Sequence, residues 1–278
     1  MIRKTGLPLL LPLALLLGGC NDGTLTLSVA DAPVDGATQV VIEFTGVDVL
    51  DSNGKTRSFT FNPALHPNIL STDGTASVLL DQGRLPVGDY QSITLKVNAA
   101  DSKVTVTGEG DRGVELPDDN VPLLTQSYAF SVERNKKIAL TVDFDLRKSV
   151  QNPNVDGDPF VLEPSLRIIA DDQAATLTGT VDASLIGTGC SPAVYVFSGS
   201  GATVDDVGST HPPVASAIVV KSSRQYTAAF LDAGTYTAAL TCEASDDDPV
   251  TDDPIDFTLT PKKSFTVTAG KTATVNFP

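Results

Sequence analysis

From Gly23 onward, apolar side chains recur at alternate positions in short runs broken by turn-forming residues. Leu25, Leu27 and Val29 alternate with Thr24, Thr26 and Ser28. Successive side chains of an extended strand point to opposite faces, so the pattern describes strands with one buried and one polar face. It continues in Val40/Ile42/Phe44, Phe59/Phe61, Ile93/Leu95/Val97, Val104/Val106, Tyr128/Phe130/Val132, Ile138/Leu140/Val142/Phe144 and Leu166/Ile168. After Gly46 the apolar set moves to Val47 and Val49, a change of phase that a β-bulge at Gly46 explains. Asp51-Ser52-Asn53-Gly54 reads as a turn. One helical turn is expected near Pro63–Leu70.

Asp171-Asp172-Gln173 reads as a linker, and a second series of strands follows it. These are Leu177/Val181, Val194/Val196, Ile218/Val220, Tyr226/Ala228/Phe230, Tyr236/Ala238/Leu240, Phe257/Leu259, Phe265/Val267 and Ala273/Val275/Phe277. Short strands with frequent turns predict an all-β chain of two antiparallel β-sandwich domains, at 23–170 and 174–278, with 171–173 between them. Leu85-x-x-Gly88-x-Tyr90 and Leu231-x-x-Gly234-x-Tyr236 repeat one pattern before an alternating strand. That pattern reads as one sandwich turn used twice, with each Tyr ring buried and its hydroxyl bonded.

The first 19 residues are of another kind. Arg3 and Lys4 precede an apolar stretch from Leu7 to Leu17, which is too short to cross a bilayer of about 30 Å. Leu17-Gly18-Gly19-Cys20 closely resembles the lipobox of bacterial lipoprotein signals. The resemblance implies cleavage after Gly19, lipidation of Cys20, and a short tether over 20–22. In that class Asn21, not Asp, after the Cys favours the outer over the inner membrane of a Gram-negative host, on its periplasmic or surface face. Several acyl chains on one residue anchor a protein almost permanently.

Removing 1–19 takes two of the 19 basic residues, leaving 17 against 34 acidic ones, a net charge of about −17. Nucleic acid would repel such a chain. With Cys20 lipidated, Cys190 and Cys242 remain as a pair in an oxidising compartment and are expected to form a disulfide.

Residues 23–170 resemble a family of bacterial lipoproteins whose N-terminal domain is labelled a domain of unknown function. The carrying residues are Gly23-x-Leu25-x-Leu27-x-x-x-Asp31-Ala32-Pro33, Leu85-Pro86-x-Gly88-x-Tyr90, Asp143-Phe144-Asp145, Ser149-Val150 and Leu162-x-Pro164-x-Leu166-Arg167. The resemblance implies a periplasmic or surface β-domain without an assigned activity. Through Gly179-Thr180-Val181 and Leu231–Tyr236, residues 174–278 resemble the carboxypeptidase-regulatory-like, transthyretin-like sandwich, a non-catalytic add-on domain.

Chemistry is sparse. His66 and His211 each precede a proline and read as loop residues, and Ser198-Gly199-Ser200-Gly201 is not a nucleophile elbow. No phosphate-binding or dinucleotide motif is present. No catalytic residue and no required cofactor is assigned. A calcium loop is the sharpest site candidate. Asn152, Asn154, Asp156 and Asp158 with Glu163 reproduce the oxygen spacing of an EF-type loop, with Gly157 at its sixth position. Pro153, Pro159 and the lack of flanking helices depart from that pattern, and a solvated hairpin loop fits the same residues. Asp246-Asp247-Asp248 with Asp252 and Asp253 is a second acidic cluster, readable as a calcium site or a charged loop. Asp31 beside Pro33 reads as a turn-setting residue. The expected function is a lipid-anchored envelope protein with a non-catalytic binding or structural role and a protein or glycan partner. The alternatives are a calcium-dependent adhesion or carbohydrate-binding protein, and a hydrolase with an unrecognised carboxylate pair.

Overall fold

The computed structural model describes residues 22–31, 36–70, 74–116, 123–151, 158–163 and 165–278. Its first lobe contains β1 (Asp22–Asp31), β2 (Ala37–Asp51), β3 (Thr56–Leu65), β4 (Ser77–Pro86), β5 (Gly88–Val106), β6 (Gly110–Glu115), β7 (Leu123–Val132) and β8 (Lys137–Phe144). A single-turn helix α1 (Leu146–Ser149) follows, then β9 (Val150–Gln151), β10 (Phe160–Leu162) and β11 (Leu166–Ala170). One sheet has the order β11-β8-β1-β4. The other runs β3-β2-β5-β6-β10-β9, with β7 also paired to β5. Leu25, Leu27, Val29, Val40, Ile42 and Phe44 are all fully buried in the core between them. The Phe44 and Phe144 rings meet edge-on at 6.3 Å.

The apolar positions read in β1 and β2 all enter the core, and the register of β2 shifts between Phe44 and Gly46 as the phase change requires. In the turn after β2, Asp51 Oδ1 accepts hydrogen bonds from the amides of Asn53 and Lys55. Val97 and Val104 lie in one 19-residue strand and not two, because a bulge opposite Val41–Glu43 absorbs the phase change between them. The pairing is mostly antiparallel, as the all-β sandwich reading expects, with β1/β8 and β6/β10 running parallel. Parallel pairing with β8 places β1 inside its sheet, so Thr26 and Ser28 on its second face are buried as well. The helical turn expected near Pro63–Leu70 is absent: β3 runs to Leu65, and among the described residues the helix of this lobe is α1, eighty residues further on.

Residues 171–173 turn into the second lobe: β12 (Ala175–Thr180), β13 (Ala193–Ser198), β14 (Ala215–Ile218), β15 (Gln225–Leu231), β16 (Gly234–Thr241), β17 (Lys263–Val267) and β18 (Thr272–Thr274). Its sheets have the orders β15-β12-β18 and β14-β13-β16-β17. Leu177, Val194, Val196, Ala228 and Leu240 are buried between them. Gly179 is required here, because a Cβ at that position would stand 1.7 Å from the Val275 carbonyl oxygen. Two sequence readings fail in this lobe. Ala217 and Val219 face inward, not Ile218 and Val220. Phe257 and Leu259 lie outside any strand; Phe257 packs edge-on against Tyr195 and Phe197.

The repeated Leu-x-x-Gly-x-Tyr pattern gives the same local structure twice. The Tyr90 hydroxyl donates to the Pro86 carbonyl at 2.9 Å, and the Tyr236 hydroxyl to the Asp232 carbonyl at 2.8 Å. Each ring stacks on a phenylalanine of the neighbouring strand, Phe130 or Phe265. Cys190 and Cys242 are joined by a disulfide.

Candidate functional site

The residues that carry chemistry gather at the seam between the lobes. The polar residues of the first lobe's motifs build α1. Asp31, at the end of β1, accepts the Leu146 amide at 2.8 Å, and Asp145 caps the same helix by accepting the Lys148 amide. A buried helix start needs such acceptors for its free amides. Ser149 Oγ accepts the Ser165 amide at 2.9 Å. Asp31 is therefore a helix-capping acceptor, not a turn-setting residue.

Asp143 and Arg167, paired at 2.7 Å across β8 and β11, flank this helix. A cavity of roughly 120 Å³ lies beside them, closed from the second lobe by Ala215, Thr227 and Phe230. Burial pushes the Asp143 carboxyl up to about 6, while the Arg167 guanidinium pulls it down. Because the folded value exceeds the unfolded one of 3.8, the fold favours the protonated acid, and stability is lost as pH rises through this range. Between pH 7 and pH 4, wild type should gain about 2–3 kcal/mol of unfolding free energy relative to Asp143→Asn. Denaturant unfolding of both proteins across that range measures it; a constant difference rejects the assignment.

Helix α1 also reaches the second lobe. Arg147 donates to the Ala244 carbonyl and lies 3.8 Å from Asp247 Oδ2 and 5.1 Å from the Tyr195 ring. Lys148 Nζ donates to the Pro213 carbonyl at 3.1 Å. Beside this contact a cleft of roughly 670 Å³ opens between Val104, Arg112 and Phe160 on one side and residues 244–251 on the other.

The second lobe's part of the seam follows from β13. Ala193–Phe197 is a continuous apolar run buried on both faces. Val194 and Val196 enter the core, while Ala193, Tyr195 and Phe197 form a second cluster beneath two long irregular segments, 199–214 and 242–262. The Tyr195 hydroxyl donates to Asp247, which also accepts the Val207 amide at 3.1 Å. Burial raises the Asp247 carboxyl, against the Tyr195 hydrogen bond and the Arg147 charge. Asp206 is fully buried, and its Oδ2 accepts the amides of Gly208 and Asp253, each at 3.0 Å. Its Oδ1 is buried without a hydrogen-bond partner.

The acidic run at 246–253 is therefore divided by the fold. Asp247 and Asp253 join Asp206, and Asp252 joins Asp205 and Asp206; within each triad the ligand atoms lie within 4.8 Å of one another. Sequence reading missed Asp205 and Asp206, which lie some forty residues before the run; the doubled Asp next to an apolar Val207 was the available signal. Asp246 and Asp248 are exposed. Of the expected EF-type loop, Asn152, Asn154 and Asp156 lie outside the described residues, as does Cys20. Asp158 and Glu163 are both exposed, and the Asp158 carbonyl accepts from the Arg112 guanidinium. His66 lies 3.8 Å from Glu43, and exposed His211 contacts Thr210.

No curated protein sequence matches the chain. Solved structures align with it over most of its length. They include the Bacillus anthracis TIE protein (12% identity, 92% of this chain and 34% of that one, TM-score 0.23). The minor pilin of Streptococcus agalactiae is another (11% identity, 91% and 94%, TM-score 0.22), as is a streptococcal ancillary pilin (12% identity, 92% and 68%, TM-score 0.26). The chain thus spans about a third of the first and most of the other two. A family model described as a domain of unknown function, DUF4382, matches residues 22–164, and the chain belongs to that family.

Proposed function

We propose that this protein is a lipid-anchored component of the bacterial cell envelope with a non-catalytic binding or structural role. The observation that carries the reading is the position of the lipobox. Cys20 stands two residues before Asp22, where β1 begins. Two residues span at most about 7 Å, so a lipid on Cys20 holds the first lobe against the membrane surface. Among the described residues no helix is long and apolar enough to cross a membrane. The Cys190–Cys242 disulfide suits an exported protein. Asn21 favours the outer membrane, on its periplasmic or surface face. The partner is a protein or glycan of the envelope.

Three of the carboxylates at the seam support a non-catalytic role. Asp31 holds the Leu146 amide, Asp143 pairs with Arg167, and Asp247 accepts from Tyr195 and Val207, so each is engaged in holding the fold. Intact-mass spectrometry of protein extracted from the producing organism is expected to read Cys20 as the first residue, with the added mass of acyl chains. Cys20→Ala should leave the membrane fraction. A retained leader with an unmodified Cys20 thiol would overturn the proposal.

A further inference from the structure

We propose that Asp206, Asp247 and Asp253, with Asp205 and Asp252 beside them, form a binding site for calcium. This inference does not rest on the lipid anchor. Its first support is the pair of triads sharing Asp206, assembled from segments distant in sequence. Proximity of acidic groups is not enough by itself, since exposed carboxylates often cluster without a ligand.

The second support is the Asp206 carboxylate. It is fully buried, two amides bind one of its oxygens, and the other has no partner. A buried carboxylate oxygen left without a donor is costly, and a bound cation removes that cost. The charge balance points the same way. Five carboxylates converge here, and among the described residues Arg147 stands as an ion pair 3.8 Å from Asp247 while also donating to the Ala244 carbonyl. Like charges held this close repel, and a cation between them relieves that repulsion.

The donors select the ion. All are carboxylate oxygens, which suit a hard cation and not zinc. They come from two irregular segments, so the oxygens need not fall on an octahedron. Magnesium demands near-octahedral geometry, whereas calcium accepts six to eight oxygens irregularly placed. The segments are in backbone contact: a Cβ on Gly208 would stand 1.8 Å from the Thr251 carbonyl oxygen. That contact holds Asp205 and Asp206 against Asp252 and Asp253 before any ion arrives. Calcium sites of extracellular modules bind at roughly 0.1–1 mM, and a similar affinity is expected here.

The test uses the full-length protein in detergent, titrated with CaCl2 by calorimetry and melted in CaCl2, MgCl2 or EDTA at matched ionic strength. Saturating calcium should raise the wild-type melting temperature by roughly 5 °C or more over EDTA, with a clearly smaller response to magnesium. Asp206→Asn keeps the shape but removes the buried charge. It should lose calcium binding at least tenfold, yet melt no lower than wild type in EDTA. Should that variant not fold, Asp252→Asn, at an exposed position, serves in its place and should weaken binding several-fold. Absence of a calcium response, an equal response to magnesium, or calcium binding unchanged in the variant that folds would each overturn the proposal.

Discussion

Replacing Cys190 and Cys242 together by alanine is expected to lower the unfolding free energy by about 4 kcal/mol. The bond joins residues 52 apart, and the loop it closes contains all of β13, β14, β15 and β16. Cross-linking so long a segment removes much of the freedom of the unfolded chain. The loss should also be felt locally. Cys242 follows β16 directly, and Ser191 brackets it, donating its amide to the Cys242 carbonyl at 2.7 Å while its own carbonyl accepts the Ala244 amide. This clamp fixes the start of the segment that carries Asp247. Urea unfolding of the double variant against wild type, with and without reductant, measures the effect. A change below about 1 kcal/mol, or a wild type whose midpoint ignores reductant, would show that the bond constrains little.

The second large effect is expected at Arg147. Its side chain leaves one lobe and is buried in the other, against the Ala244 carbonyl, Asp247 and the Tyr195 ring. Removing one partner of a buried ion pair leaves the other charge without compensation, at a cost of about 3–5 kcal/mol. Arg147→Met keeps most of the volume and removes the charge, so it isolates that cost. Arg147→Lys keeps the charge but lacks the planar fork, and should recover part of the loss. Both are best compared in EDTA, where no added cation can take over the neutralisation of Asp247. If Arg147→Met unfolds within about 1 kcal/mol of wild type, the seam is held by other contacts.

Much of the fold was legible because strand alternation is a property of the local backbone. Leu25/Leu27/Val29 and Val40/Ile42/Phe44 entered the core as read, and the phase change at Gly46 located a bulge without any structure. The two Tyr motifs were equally transparent, since the bond from the hydroxyl to a carbonyl four residues back is local. Legibility failed where pattern and burial part company. In β4 only Leu79, Gly83 and Leu85 are buried among mostly polar or exposed neighbours, so Ser77–Pro86 showed no clean alternation. Ala217 is too small to register as apolar beside Ile218, although it is the buried member of that pair. Phe257 is apolar because it covers the outer face of β13, not because it lies in a strand.

The seam was the least legible part. Asp31, Asp143, Asp145 and Arg167 stood out in sequence, but nothing there revealed that they surround one helical turn. The acidic run at 246–253 was visible as a cluster, yet its closest partners lie forty residues away. Tyr195 faces them only because β13 is buried on both sides.

The chain by itself determined that strands would form, which faces most of them bury and where the turns fall. Each of these follows from residue geometry within a few positions. Tertiary structure alone decided that β1 and β8 run parallel, that α1 carries Arg147 into the other lobe, and that Asp206 meets Asp247 and Asp253. Those outcomes depend on which surfaces lose water together when distant segments pack, and local spacing carries no record of that.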